Sequence, residues 1–125
     1  MRIDRLDHLV LTVADIPTTI AFYTEVLGMR EITFGDGRKA LAFGASKINL
    51  HQAGHEFEPR ALRPTPGSAD VCLIAEDSLA DVMATLAGHG VPIEHGPVDR
   101  TGATGPITSV YVRDSDGNLV EISNY

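Results

Sequence analysis

The chain has 125 residues, 43% of them hydrophobic and 22% charged, which is the size and make-up of one globular domain able to bury its own core. A formal charge of −7 argues against a broadly basic nucleic-acid face, yet leaves room for an anionic small ligand held by a few local arginines. No apolar run is long enough to span a bilayer, the start Met1-Arg2-Ile3-Asp4-Arg5 has no secretory pattern, and the single cysteine, Cys72, cannot pair internally; the expectation is a cytoplasmic protein with no membrane partner.

In chain order, Leu6–Val13 is apolar and rich in β-branched residues, so a strand is predicted there. Asp15 suits a helix N-cap, and Pro17 falls in the first turn, where its missing N–H costs nothing. Ile16, Ile20, Tyr23 and Leu27 then recur at helical spacing, and Gly28 supplies the stop. Three short strands are expected at about 29–34, 38–44 and 47–52, with Asp36-Gly37 as a tight-hairpin signal between the first two. The Gly54–Gly67 stretch, containing Pro59, Pro64 and Pro66, reads as the linker between modules of about 1–55 and 67–125 inside one domain.

The second half repeats this order. Ala69–Ala75 is a strand, Asp77 or Ser78 caps a helix with apolar face Leu79, Val82, Met83 and Leu86, and Gly88 and Gly90 end it. Strands are predicted near 91–95, 107–113 and 118–123, with Gly96–Pro106 as a long, function-bearing loop and Asp114–Asn118 as a turn. A shift of 62 residues places Leu11 on Leu73, Asp15 on Asp77, Ile20 on Val82 and Gly28 on Gly90. Each half is therefore β-α-β-β-β. The fold expected is α+β: two tandem βαβββ modules whose mixed sheets curve into a shared cleft, helices outside.

Polar residues gain meaning on this repeat. His8 in the first strand shifts onto Asp70. His51, in the last strand of the first module, is set opposite Glu121 in the last strand of the second. His8, His51, Asp70 and Glu121 are donors suited to one divalent metal ion, such as Zn, Ni, Mn, Co or Fe. Singly, each has an ordinary structural reading as a hydrogen-bonded strand histidine or a solvated acid; their equivalent placement favours a site. Arg60, Arg63, Arg100 and Arg113 could bind carboxylates, and Arg100, Thr101 and Tyr111 are the candidate substrate contacts.

The segments Leu6-Asp7-His8-Leu9-Val10-Leu11-Thr12-Val13 and Phe22-Tyr23-Thr24-Glu25-Val26-Leu27-Gly28-Met29 resemble the opening of glyoxalase/bleomycin-resistance proteins of the vicinal oxygen chelate superfamily. Asp114-Ser115-Asp116-Gly117-Asn118-Leu119-Val120-Glu121-Ile122 resembles their closing strand. Lys39–Gly44 and Lys47–Gln52 are similar to a glyoxalase domain-containing subgroup that includes a bacterial virulence-associated protein. The resemblance implies a homodimer, paired modules, and a cleft metal with positions open to a bidentate oxygen ligand. It makes His8 and Glu121 metal ligands. Asp70 stands where the family often has histidine, and the family's fourth-strand carboxylate aligns nearer Asn49 than His51. The activity implied is a metal-dependent lyase or isomerase of glyoxalase I type on a small 2-oxoaldehyde-derived substrate, with Glu121 as the base. The alternatives are an extradiol-type dioxygenase using His8, His51 and Glu121 on Fe(II), and a non-catalytic drug- or metabolite-binding protein.

Overall fold

Alternation of side chains across a strand decides both faces of the first sheet. The computed structural model describes residues 1–125, which divide into two units, Met1–Gly67 and Ser68–Tyr125. In the first, β1 (His8–Val13) runs parallel to β4 (Ser46–Gln52), and β3 (Arg38–Phe43) and β2 (Arg30–Phe34) extend the sheet antiparallel in the order β1-β4-β3-β2. Parallel neighbours need a long crossover. It begins with α1 (Ile16–Ala21) and a π-helical turn at Phe22–Val26. Asp15 caps α1, its carboxylate accepting the Thr18 N–H at 3.0 Å. Leu11, Val13, Leu41, Ile48 and Leu50 are buried on one face, and Tyr23 is fully buried. His8, Val10, Thr12, Arg38, Ala40, Lys47, Asn49 and His51 therefore share the other face, hereafter the polar face.

The second unit repeats the plan with β5 (Asp70–Ile74), α2 (Leu79–Gly88), β6 (His95–Thr101), β7 (Pro106–Arg113) and β8 (Leu119–Asn124), in the order β5-β8-β7-β6 with β5 and β8 parallel. Ser78 caps α2 through the Asp81 N–H. Val82 and Leu86 of α2 and Val110, Val112, Val120 and Ile122 of the sheet form its core. The Asp114–Asn118 turn is tied at both ends: Asp114 Oδ1 accepts the Asp116 and Asn118 N–H groups, and Asn118 Oδ1 accepts the Ala69 N–H just before β5.

Two expectations need correction. The strand predicted near 91–95 instead occupies His95–Thr101, so most of the Gly96–Pro106 stretch is strand and only residues 102–105 turn. Pairing of Val98, Asp99, Arg100 and Thr101 with β7 outweighs the poor strand propensity of Gly96-Pro97, which fall at a register shift on the sheet's edge strand. The first strand also starts at His8, not Leu6. No helix is long and apolar enough to cross a membrane.

Candidate functional site

On the polar face of the first unit, His8 is exposed and its Nδ1 lies 2.8 Å from Asp7 Oδ2. With Nδ1–H donating to that carboxylate, Nε2 carries the lone pair. This is the arrangement that orients a metal-binding imidazole. His51 differs. It is buried, its ring meets Phe57 edge-on at 5.6 Å, and its Nε2 lies 3.3 Å from Arg38 Nη2. Since guanidinium can only donate, His51 Nε2 is the acceptor and its lone pair is already engaged. His51 borders a cavity of about 240 Å³ with Val10, Thr12, Pro59, Arg60 and Ala61.

Burial, and then the Arg38 charge, push the His51 pKa below the ordinary 6.5. A histidine with a depressed folded-state pKa binds fewer protons folded than unfolded, so stability rises with pH across its titration. Its contribution is complete above about pH 6.5 and is lost as pH falls below that value. The unfolding midpoint in urea should therefore drop between pH 7 and pH 5, and His51→Gln should flatten that slope. An unchanged slope would show that another group dominates.

In the second unit, Asp70, Cys72, Tyr111, Glu121 and Ser123 share the face opposite the core. Glu121 is half-buried and accepts from Ser109 Oγ at 2.6 Å, while Ser109 and the equally buried Ser123 lie 2.7 Å apart. The Ser109 hydroxyl thus fixes one carboxylate oxygen, Ser123 supports Ser109 in turn, and acceptor capacity is left on the other oxygen. Glu121, Cys72, Thr101, Gly102, Ile107 and Tyr125 border a cavity of about 270 Å³. Cys72 Sγ lies 3.4 Å from Ser123 Oγ; burial raises its pKa, and the neighbouring Glu121 charge adds to that. Of the candidate substrate contacts, Thr101 reaches the cavity, whereas Arg100 donates to the Tyr111 hydroxyl at 3.0 Å.

The pairing registers revise the repeat. Glu121 stands opposite Cys72, and the 62-residue shift makes Val10 the counterpart of Cys72. Opposite Val10 lies Asn49; His51 is two residues on, opposite Thr12. If His8 matches Asp70, the residue at Glu121's position is Asn49, not His51. Asn49 is buried, and its Oδ1 has no hydrogen-bond partner. Within neither unit do three His, Cys, Asp or Glu side chains converge. His8 and Glu121, each anchored by a neighbour, fit a ligand's role. Asp70 is exposed on the same face as Glu121. His51 fits only if Arg38 releases it.

Ser109, Ser123 and Arg38 were not singled out from sequence. Ser109 and Tyr111 alternate with buried Val110 and Val112, which signals a polar face, but only the β7–β8 register puts Ser109 beside Glu121.

The model of the Glyoxalase/Bleomycin resistance protein/Dioxygenase superfamily matches residues 5–122. The chain is 62% identical over its whole length to virulence protein STM3117 of Salmonella typhimurium, covering 87% of that protein. The solved structure of that protein superposes with a TM-score of 0.98, covering 100% of this chain and 99% of the other. Glyoxalase domain-containing protein RDO1 of Mycosarcoma maydis is 59% identical over 96% of the chain and 68% of its own length. At 22% identity, with 98% and 95% of the chains covered, lactoylglutathione lyase from Agrobacterium tumefaciens shares the fold with a TM-score of 0.75. So does the antibiotic-binding protein TnmS3 from Streptomyces, at 21% identity, 99% and 98% coverage and a TM-score of 0.77.

Proposed function

The chain belongs to the Glyoxalase/Bleomycin resistance protein/Dioxygenase superfamily, and from that premise we propose that it is a metal-dependent lyase or isomerase of glyoxalase I type that acts, as a homodimer, on a small substrate carrying neighbouring oxygens. The observation that carries this reading is Glu121: a carboxylate at the wall of a cavity, with one oxygen fixed by Ser109 and its remaining acceptor capacity unspent. His8 in the first unit, with Nδ1 committed to Asp7, and Asp70 in the second, exposed on the same face as Glu121, are the other candidate ligands.

A bound divalent ion would supply Lewis-acid polarisation of the substrate oxygens. Glu121 would take the proton from the hydroxyl-bearing carbon and return it to the neighbouring carbonyl carbon, while the hydroxyl proton passes to the former carbonyl oxygen, so the substrate is isomerised without net loss of a proton. Ser109 and Ser123 hold the carboxylate in one orientation through that exchange. The dioxygenase reading needs two histidines and one carboxylate. The Arg38–His51 contact weighs against it, since it occupies the second imidazole.

The test is metal analysis of protein purified without chelators or a histidine tag, beside His8→Ala and Glu121→Ala. Near-stoichiometric metal in the parent, lost in both variants, is expected, followed by turnover of 2-oxoaldehyde–thiol adducts. A parent that carries no metal and takes up none of Ni²⁺, Mn²⁺, Zn²⁺ or Fe²⁺ would leave a binding protein, a role the antibiotic-binding neighbour of this fold illustrates.

A further inference from the structure

The first unit's polar face carries two cations that form no ion pair within the unit. Arg38 and Lys47 are both half-buried and neither forms an ion pair. Both sit instead over the ring of Phe34, the Lys47 ammonium at 3.8 Å and the Arg38 guanidinium at 5.2 Å from its centroid. Arg38 also lies 4.6 Å from the centroid of Phe57. Its one polar side-chain contact is His51, whose Nε2 accepts from the guanidinium and so carries no proton, and that contact offsets none of the charge.

The nearby carboxylates are engaged elsewhere: Asp7 with His8, Glu58 with Arg60, and Glu56 with the Gly54 N–H. Asp7 feels the Lys47 charge but is not within ion-pair distance of it. In a chain of net charge −7, two partly desolvated cations on one face without acidic partners are an unusual expense. The guanidinium lies close to two aromatic rings, and its planar fork of donors suits an oxyanion.

We propose that this face binds the oxyanion end of the substrate, a carboxylate or phosphate-type group, with Arg38 as the principal cation and Lys47 as the second. This rests on the reading above that the polar faces receive a small ligand, and it narrows that ligand to an anionic class. The cavity of about 240 Å³ lined by His51 and Arg60 adjoins this cluster through the Arg38–His51 contact and is of small-molecule size.

The experiment is a ¹H–¹⁵N NMR titration of metal-stripped protein with lactate, inorganic phosphate and neutral lactamide. Lactate or phosphate should shift amides of β3 and β4, lactamide should not, and the tighter anion identifies the source. Arg38→Gln should weaken that binding about tenfold or more, and Lys47→Gln roughly three- to tenfold, each with a folded spectrum. Lys39→Gln, which removes the neighbouring cation on the opposite face of β3, paired with Glu31, should leave it unchanged. Equal shifts from lactate and lactamide, no binding of either anion, or equal loss in all three variants would overturn the proposal. Because no metal is present, failure here is separate from failure of the metal analysis.

Discussion

Glu121→Gln is expected to lower turnover by about 10²–10⁴-fold on whichever 2-oxoaldehyde–thiol adduct the parent accepts, with little change in KM. Glutamine keeps the shape and can still accept the Ser109 hydroxyl bond, 2.6 Å in the parent, but it cannot take up a proton at neutral pH. Compared at equal metal content, the loss therefore reports proton transfer and not collapse of the cavity wall. Ser109→Ala separates positioning from chemistry. It leaves the carboxylate but removes its closest hydroxyl, so a smaller fall is expected, about tenfold. Full activity of Glu121→Gln would remove Glu121 from the role of base. An equal loss in both variants would show that orientation, not basicity, is what Glu121 supplies.

Gly96→Ala should be the most damaging single-methyl change in the chain. A Cβ there would lie 2.4 Å from the Ser109 carbonyl oxygen and 3.1 Å from Val110 Cα, both backbone atoms with nowhere to move inside a paired strand. The backbone at Gly96 is also in the left-handed half of conformational space, with φ +100°, which costs a side chain further. Overpacking and backbone strain together should cost about 3–5 kcal/mol and lower Tm by roughly 10–20 °C. Gly37→Ala is the control: its φ is +79°, but a Cβ there meets nothing within 4 Å, so only the backbone penalty applies. Comparable melting of the two variants would mean that β6 does not press on β7 at this point. The displaced residue is Ser109, so Gly96→Ala should also loosen Glu121 and weaken metal retention beyond what the melting curve alone explains.

How much of this was open to inspection in the one-dimensional chain differs by residue. The strands at Leu6–Val13 and Ala69–Ala75, the caps before both helices and the Asp36-Gly37 hairpin were readable because each depends on local chemistry: β-branching, a side-chain acceptor for a free N–H, a glycine with positive φ. His8 and Glu121 were named as site candidates because their flanking segments resemble a known family. The edge strand β6 was not, because Gly96-Pro97 speaks against a strand locally, and only pairing with β7 makes one.

The amino-acid order alone determined the repeat, the two faces of each strand and the types of donor available, since a period of two and a turn residue act over a few residues. Register belongs to the tertiary structure. A slip of two residues preserves every face while changing every neighbour, so nothing in the alternation distinguishes His51 from Asn49 as the counterpart of Glu121. The same holds for the pairing of Ser109 with Glu121 and for the meeting of Arg38 and Lys47 over Phe34: these side chains come from different strands, and their contact is fixed by how the strands hydrogen-bond, a choice settled by core packing and not by the residues themselves.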